Sequence, residues 1–228
     1  MQKIKKIYRK EYAGESIVTD LVLSDNDWQP TTEYLANRVF NSFTTTQAIA
    51  IGNGSSRQEF DLKHIANHKG GILARDKLQS YACNLVINEG FTPDFLIAVD
   101  PVKVKTIAES GYCDDHIVYT NAQYIVEYPG KFYLVPQNPA YDAGALAVYL
   151  ACFDGHKKVY MMGYDSYTNV AEHTFYIKTL STVMDVYSDV EFIRVMMSAE
   201  SVCSDALTNK LNFRQISFRD FVVEADIG

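Results

Sequence analysis

An apolar run from Ala48 to Ile51 leads directly into the turn sequence Gly52-Asn53-Gly54-Ser55-Ser56. A short apolar run that ends in a turn is typical of a strand buried on both faces of a parallel sheet. A glycine-rich turn after such a strand lets a ligand approach the backbone, whose N–H groups can bind a phosphate. The turn is neither a Walker loop nor a full dinucleotide fingerprint, so a nucleotide site and an ordinary tight turn both stay open.

Strand and helix patterns alternate after this turn. Predicted strands cover residues 47–51, 77–83, 95–99, 116–119, 132–135, 158–162 and, as the last clear strand, 191–196. Predicted helical segments cover residues 60–66, 85–89, 102–109, 143–152 and 175–187. The alternation predicts an α/β fold with a Rossmann-like, doubly wound, mainly parallel sheet and helices on both faces.

A small lead-in precedes this pattern. We expect residues 1–46 to form a β/α lead-in and residues 47–228 to form the Rossmann-like nucleotide-binding domain. Within the lead-in, residues 17–23 are a predicted strand and residues 24–27 a turn. Residues 31–40 are a predicted short helix with Thr31 or Thr32 as its cap. The lead-in is therefore expected to be a hairpin and a short helix.

The net charge of −7 argues against a surface for duplex nucleic acid, which needs clustered Lys and Arg. Four cysteines without Cys-x-x-Cys spacing or paired histidines argue against zinc and for a reducing, cytoplasmic setting. The N-terminus is charged with no apolar stretch behind it, so we expect neither a signal peptide nor a membrane partner. A homo-oligomer is compatible with the sequence.

Polar or glycine-containing turns follow four of the predicted strands. These are the Gly52-Asn53-Gly54 turn, Asn84, Asp100 and the Gly163-Tyr164-Asp165 turn. The carboxyl ends of parallel strands meet at one edge of the sheet, where ligands of such folds bind. The sequence therefore predicts that these four segments form one binding site.

Several of these segments together resemble the bacterial sialyltransferases. The segment 49–56 is similar to their first strand, which ends in Gly-Asn-Gly-Pro-Ser, and Ala82-Cys83-Asn84 resembles the Cys-Asn end of their second strand. Residues 142–151 and 158–167 resemble their Thr-Gly helix and the strand that ends in Gly-Ile/Phe-Asp-Phe-Tyr. Residues 91–101 are similar to the Pro-Asp-…-Asp-Pro strand of the motility-associated-factor flagellin glycosyltransferases. The archaeal 6-hydroxymethylpterin diphosphokinases share related features.

The resemblance covers roughly residues 47–196, and compact versions of this fold are familiar among bacteriophage proteins. It implies a nucleotide-binding α/β protein, in the cytoplasm of a bacterial host if it is phage-encoded. The implied donor is a CMP- or UDP-linked sugar, and the implied acceptor is a small molecule or a glycan.

The resemblance also implies roles for single residues. Asn53 and Asn84 would hold the donor nucleotide, and Tyr167 would contact the leaving phosphate. His173 stands where the family has a second phosphate-contacting tyrosine. The late His-x-x-Asn-Thr-Asp segment that carries the family's general base is missing after His173. Either another group is the base, or the reaction is a different one.

Three residues are candidates for the transfer chemistry, which needs a base on the acceptor and donors on the leaving phosphate. His173 is the best acid or base by residue type, or else a residue at a helix start without a role. Asp100 either binds Mg²⁺, a ribose or an acceptor hydroxyl, or caps the helix that follows it. Tyr167 is the third candidate, through the resemblance.

The remaining candidates concern phosphate binding. Asp142 is a natural cap of the helix that contains Gly144, and the N-terminus of that helix could bind phosphate. Asp165 has the same two interpretations as Asp100, and ordering of its loop is favoured. Arg57 either binds a phosphate or forms a salt bridge with Glu59 or Asp61. Ser55 and Ser56 add neutral hydrogen-bonding groups to the glycine turn.

Three functions compete on this evidence. The leading one is a nucleotide-sugar-dependent glycosyltransferase. The second is a pterin-type diphosphokinase that uses ATP and Mg²⁺, for which Asp100, Asp142 and Asp165 would supply carboxylates around the triphosphate. The third is a non-catalytic nucleotide-binding protein of the same fold, which the missing histidine segment favours.

Overall fold

A computed structural model describes residues 4–12, 15–32, 47–68, 78–84, 86–169 and 171–227. The first part forms a three-stranded antiparallel sheet of β1 (Ile4–Tyr12), β2 (Glu15–Ser24) and β3 (Asp27–Thr32). Asp25 and Asn26 connect β2 to β3, both with positive φ (49° and 64°). A two-residue hairpin turn of this kind matches the twist of its strands, and Asp and Asn tolerate that backbone conformation well.

The rest of the described chain builds an eight-stranded sheet. Its strands are β4 (Gln47–Ile51), β5 (Gln79–Cys83), β6 (Phe95–Ile97), β7 (Val118–Thr120), β8 (Tyr133–Leu134), β9 (Lys158–Met162), β10 (Glu191–Met196) and β11 (Phe213–Ser217). They lie in the order β11-β10-β9-β4-β5-β6-β7-β8, and every neighbouring pair is parallel. The predicted α/β fold with a mainly parallel sheet is confirmed.

The winding of the sheet reverses between β4 and β9. The chain proceeds outward from β4 to β8, returns across the sheet, and proceeds outward in the other direction from β9 to β11. In doubly wound sheets the connections on the two sides of such a switch point leave a crevice beyond the carboxyl ends of the strands. The turns after β4 and β9 lie at this point.

Helices cover both faces of the sheet. They are α1 (Lys63–His68), α2 (Pro101–Glu109), α3 (Tyr112–Asp115), α4 (Ala122–Glu127), α5 (Ala143–Phe153), α6 (Thr174–Val186), α7 (Asp205–Thr208) and α8 (Phe218–Glu224). Ala48 and Ala50 of β4 face one buried cluster, which includes residues of α5, α6 and α7. Ile49 and Ile51 face the other, which includes residues of α2, α4 and α8. This alternation follows from the two-residue period of a strand.

One of the sequence predictions on the fold is wrong. Residues 191–196 are not the last strand, because β11 follows on the edge of the sheet; Arg214 and Gln215 interrupt its apolar pattern, so it lacks the run that marks a buried strand. Thr31 and Thr32, with which the predicted helix over residues 31–40 would begin, are the last two residues of β3. Residues 33–40 of that predicted helix lie outside the described residues.

The three-stranded sheet contacts the end of the main sheet. The side-chain amide of Asn138 donates to the carbonyl oxygen of Trp28 in β3 at 3.3 Å, and Trp28 packs against the buried cluster that contains Ile49. Among the residues that the structure describes, no helix combines the length and apolar composition needed to cross a bilayer.

Candidate functional site

The two glycine turns at the switch point pack against each other through their backbones. The N–H of Gly52 donates to the Met162 carbonyl at 2.8 Å, and the N–H of Gly54 donates to the Gly163 carbonyl at 2.8 Å. A Cβ on Gly52 would lie 2.5 Å from the Gly163 oxygen, a distance that real Cβ atoms do not adopt. The glycines therefore serve the close approach of β4 and β9, and the N–H groups of Gly52 and Gly54 are occupied within the protein.

Asp165 also stabilises the glycine turn, through hydrogen bonds to the two serines that follow it. Its Oδ2 accepts the backbone N–H of Ser56 at 2.8 Å and the hydroxyl of Ser55 at 3.4 Å. A Cβ on Gly54 would collide with this carboxylate. The geometry of Asp165 is therefore that of a group that orders its loop.

Arg57 stabilises the glycine turn through its guanidinium group. Its guanidinium is buried, donates to the carbonyl oxygen of Gly52 at 2.6 Å, and forms a two-pronged ion pair with Glu89. The ion pair predicted with Glu59 or Asp61 is wrong, because Glu89 arrives from the 3-10 turn Val86–Glu89 after β5. All three guanidinium nitrogens have protein partners, so this geometry leaves the phosphate interpretation of Arg57 without support.

Asp142 caps α5, the central helix of one face. Its Oδ1 accepts the N–H groups of Gly144 at 2.9 Å and Ala145 at 3.1 Å, as well as the hydroxyl of Tyr167 at 3.3 Å. Its Oδ2 accepts the hydroxyl of Thr179 at 2.7 Å. The carboxylate thus occupies the position at the helix N-terminus that a phosphate would take.

Burial keeps the hydrogen-bonding groups beside Asp142 protonated. Burial, and next the charge of Asp142, raises the pKa of Tyr167 well above its ordinary value. Burial also raises the pKa of Tyr164, whose hydroxyl donates to the Gly144 carbonyl at 2.9 Å, and of the Cys83 thiol. These side chains are therefore donors near neutral pH, and Cys83 is an unreactive thiol.

A cleft opens above these groups in two connected lobes. The inner lobe has a volume of about 200 Å³ and lies over Gly52, Gly54 and Tyr167. The outer lobe has a volume of about 410 Å³ and reaches Asn84 and Asp100. Four residues line both lobes: Asn53, Asp142, Gly144 and Tyr176. Together the lobes are large enough for a nucleotide or a small sugar conjugate.

The structure brings most of the predicted site residues into this cleft. Those that line it are Gly52, Asn53, Gly54, Asn84, Asp100, Asp142, Gly144 and Tyr167. Ser55, Ser56, Arg57 and Asp165 lie behind the glycine turn and do not line either lobe. The expected convergence of four strand ends is therefore present in the geometry.

His173 stands apart from the cleft. It ends the 3-10 turn Ala171–His173 before α6, and its Nδ1 lies 3.0 Å from the hydroxyl of Thr168. Its ring centroid is 6.3 Å from that of Tyr176, a residue that lines both lobes. His173 lines neither lobe, which leaves its predicted catalytic role without a geometric basis.

Asn84 and Asp100 define the outer lobe. Asn84 has a left-handed backbone (φ 51°), and its Oδ1 is buried without a hydrogen-bond partner among the described residues. Asp100 caps α2, because its Oδ1 accepts the N–H of Lys103 at 3.0 Å, and the side chain is exposed to the lobe. The capping interpretation of Asp100 is therefore correct, and its place in the cleft keeps a binding role open.

Sequence reasoning missed Tyr176, which lines both lobes and is 37% exposed. It lies on the first turn of α6, and its ring is 6.4 Å from the ring of Tyr167. Tyr176 precedes Thr179 by three positions, so the two share a helix face. Only the structure shows that Thr179 donates to Asp142 and therefore that this face turns toward the cleft. Sequence spacing alone does not show which face turns toward the sheet edge.

The charge of the cleft is negative. Asp100 and Asp142 line it, and no Lys or Arg is among the described residues that do so. Among the residues with described positions, no group of three or more His, Cys, Asp or Glu side chains is arranged to hold a metal ion. The cleft therefore presents mainly oxygen acceptors and aromatic rings to a ligand.

No protein-family model matches this sequence, and comparisons with curated proteins and with solved structures give no match. The fold and the cleft are therefore the grounds on which a function is proposed.

Proposed function

We propose that this chain is a glycosyltransferase that takes a sugar from a nucleotide-linked donor bound in the cleft. The observation that carries the proposal is the position of Asn53 and Asn84 at the ends of neighbouring strands, on one cleft. The Oδ1 of Asn84 is buried and has no hydrogen-bond partner among the described residues. An unsatisfied buried acceptor costs about 1–3 kcal/mol. Because this oxygen has no exposed surface, a donor on a ligand, such as the amino group of cytosine, would satisfy it only after the side chain rotates toward the cleft.

The electrostatics favour a donor with a single phosphate. The N–H groups of Gly52 and Gly54 are used between the turns, and those of Gly144 and Ala145 are used by Asp142. A ligand with several phosphates would meet two carboxylates and, among the described residues that line the cleft, no Lys or Arg, which is unfavourable in a partly enclosed site. We therefore expect a CMP-linked sugar to bind better than a UDP-linked one.

Asp100 is better placed than His173 to act on the acceptor. It lines the outer lobe, whereas His173 lines neither lobe. A general base must come within hydrogen-bond reach of the proton that it removes. Tyr167 keeps its proton and lines the inner lobe, and its hydroxyl donates to Oδ1 of Asp142 at 3.3 Å. It would have to exchange that bond to donate to a departing phosphate.

The diphosphokinase alternative needs carboxylates gathered on a magnesium triphosphate. Asp165 is engaged with Ser56, and both oxygens of Asp142 accept protein hydrogen bonds. That leaves Asp100 as the carboxylate with fewest protein contacts. Sugar transfer does not require several free carboxylates, whereas the binding of a magnesium triphosphate does. Sugar transfer therefore remains the preferred function.

The test is a thermal-shift and calorimetry panel of CMP, UDP, ADP and ATP, each with and without Mg²⁺. A ligand that binds only the native state raises the melting temperature by mass action. We expect CMP to give the largest shift, without Mg²⁺. The variants Asn53→Ala and Asn84→Gly should weaken CMP binding about tenfold or more; glycine at 84 tolerates the positive φ and keeps the fold.

The matched control is Asn209→Ala, which removes an exposed amide at the end of α7, away from the cleft. It should bind CMP as the unchanged protein does. Mg²⁺-dependent binding of ATP in preference to CMP would favour the kinase. No binding of any nucleotide would favour the non-catalytic alternative, and unchanged CMP affinity in both cleft variants would refute the site assignment.

A further inference from the structure

The two ends of the eight-stranded sheet differ in what covers them. At one end, β8 is a strand of two residues, and β1 of the three-stranded sheet lies against it. At the other end, β11 is a strand of five residues that pairs along one side with β10. No strand in the described part of the chain pairs with its other side. An edge strand of this kind presents backbone N–H and C=O groups that another strand can bind.

The pairing with β10 shows which backbone groups of β11 face the open side. The N–H of Phe192 in β10 donates to the carbonyl oxygen of Asn212 at 2.8 Å, so the backbone of Asn212 turns toward β10. Successive residues of a strand direct their backbone groups to opposite sides. Phe213, Gln215 and Ser217 therefore turn theirs toward the open side.

Four of these backbone groups remain available. The N–H of Phe213 already donates to the Lys210 carbonyl at 3.2 Å, and the carbonyl of Ser217 belongs to the cap of α8. The groups that remain are the carbonyl of Phe213, the N–H and carbonyl of Gln215, and the N–H of Ser217. None of the four bonds to another residue among those that the structure describes. Their arrangement matches itself when a second copy is related by a two-fold axis at Gln215.

Nothing in β11 opposes such pairing. Edge strands are commonly protected by a proline, a lysine or a bulge, and β11 contains none of these. Its one charged residue, Arg214, donates to Glu191 at 2.6 Å and to Glu224 at 2.7 Å, so its charge is balanced within the chain. In the two-fold arrangement Arg214 stands opposite Ile216 of the second copy, so like charges do not face each other.

An exposed apolar patch lies at the amino end of β11. Leu211 is fully exposed, and Val186 at the end of α6 is 67% exposed. The ion pair between the neighbouring residues Lys210 and Asp185 brings the two segments together. If the antiparallel register continues, Leu211 meets the first turn of α8 in the second copy, at Arg219. Pairing of the strands would therefore also remove apolar surface from water.

We propose that this protein forms a two-fold symmetric dimer in which β11 pairs antiparallel with β11 of a second copy, centred on Gln215. The N–H and carbonyl of Gln215 bond to the same residue of the other copy, and the N–H of Ser217 donates to the carbonyl of Phe213. A two-fold interface uses the same surface on both copies, which a self-complementary edge satisfies. The inference does not rest on the proposed function, because no residue of β11 lines the cleft.

Sedimentation equilibrium of the whole chain tests the dimer. An interface of one strand pair and a small apolar patch is small, so we expect a dissociation constant of about 10 μM. Across a range from about 1 to about 200 μM the mean mass should rise from that of one chain to that of two. A mass that stays at one chain, or that grows beyond two, would overturn the inference.

Two variants at Gln215 separate the backbone from the side chain. Gln215→Ala and Gln215→Pro both lose the amide that binds Arg194, and proline also removes the N–H on the open side. An edge strand tolerates proline at such a position. Alanine should change the dissociation constant less than about threefold, whereas proline should raise it at least about thirtyfold. Circular dichroism checks that both variants fold, and equal dimerisation by two folded variants would contradict the pairing.

A surface variant tests the interface without touching the sheet. Leu211→Lys removes the apolar contact and places a charge beside Arg219 of the second copy, so it should weaken the dimer about tenfold. Val102→Lys makes the same change at a residue of α2 that is 65% exposed, and it should have no effect. Equal dimerisation by the two lysine variants would count against the interface.

Hydrogen exchange identifies the strand that pairs. On dilution from dimer to monomer, the amides of Gln215 and Ser217 should exchange about tenfold faster or more. The amides of Arg214 and Ile216 are the internal control, because they face β10 and should not change. A dimer whose dissociation leaves the Gln215 and Ser217 amides unchanged uses another surface, and that result would overturn the inference.

Discussion

The backbones of Gly52 and Gly163 are in direct contact at the point where the sheet reverses its winding: a Cβ on Gly52 would lie 2.5 Å from the Gly163 carbonyl oxygen. The contact joins the turns after β4 and β9 into one unit, which Asp165 closes through the N–H of Ser56. The floor of the cleft is therefore a packed backbone surface.

The first prediction is that Gly52→Ala destabilises the protein. The added methyl group would force apart two turns that have no flexible side chain to yield, and overpacking of this kind costs about 1–3 kcal/mol. Urea unfolding followed by circular dichroism measures the change. Gly130→Ala is the control, because its Cβ would meet nothing within 4 Å and only its positive φ (81°) opposes the change. Equal losses in the two variants would show that the contact with Gly163 is unimportant.

The second prediction concerns Arg57, whose loss would leave Glu89 and the Gly52 carbonyl without their partner. Arg57→Met should lower the free energy of unfolding by about 2–3 kcal/mol, because one member of a largely buried pair is removed. Lys157→Met breaks an exposed pair with Asp189 and should cost about 0.3 kcal/mol. If Arg57→Met left stability unchanged but abolished CMP binding, the phosphate interpretation would be restored.

The third prediction is a loss of stability in acid through Glu224. Hydrogen bonds from Arg214, Lys158 and Tyr160 lower the pKa of Glu224 from 4.5 to about 2. Because the folded pKa lies below the unfolded one, the stabilisation is present above about pH 4.5 and is lost as the pH falls toward 2. The expected size is about 1 kcal/mol, since solvent screens a partly exposed cluster.

Thermal unfolding between pH 6 and pH 2, a range set around the two pKa values of Glu224, measures this loss. Glu224→Gln should flatten that part of the stability profile while lowering stability near neutral pH. Parallel profiles for the two proteins would rule out a contribution from Glu224.

The fourth prediction tests the network at the start of α5. Asp142→Ala leaves two helix N–H groups and the hydroxyl of Tyr167 without their acceptor, and it limits the Thr179 hydroxyl to carbonyls of its own helix. The loss should be about 2–3 kcal/mol. Ser217→Ala removes an ordinary cap, that of α8, and should cost about 1 kcal/mol. The difference between the two losses in unfolding free energy measures what the hydrogen bonds of Asp142 with Tyr167 and Thr179 contribute beyond helix capping. Equal losses would mean that Asp142 acts only as a cap.

The elements of this fold that the sequence predicts are those with a local pattern, such as an apolar run followed by turn residues. The strands β4, β9 and β10 were evident from apolar runs, and the edge of the sheet where Asn84 and Asp100 meet followed from the rule for parallel strands. β11 was missed because its partly exposed pattern has no such run.

The partners of individual side chains were not predictable in the same way. Arg57 pairs with Glu89 across 32 positions, and Asp142 binds Thr179 across 37. Such contacts depend on how the segments that connect strands and helices are placed relative to one another in the folded sheet. Secondary-structure propensity and hydrophobic periodicity describe only local sequence, so they do not contain that information. Tyr176 was overlooked for the same reason.

The sequence by itself determined which segments become buried strands and which polar residues stand at their ends, because apolar runs and turn residues act over a few positions. Only the tertiary structure decided what those polar residues do. It uses the glycine N–H groups to join β9 to β4, and it assigns Arg57 and Asp165 to bracing the turn. It leaves Asp100 and Asn84 facing an open cleft, because hydrogen bonds between distant segments form only when the whole sheet has closed.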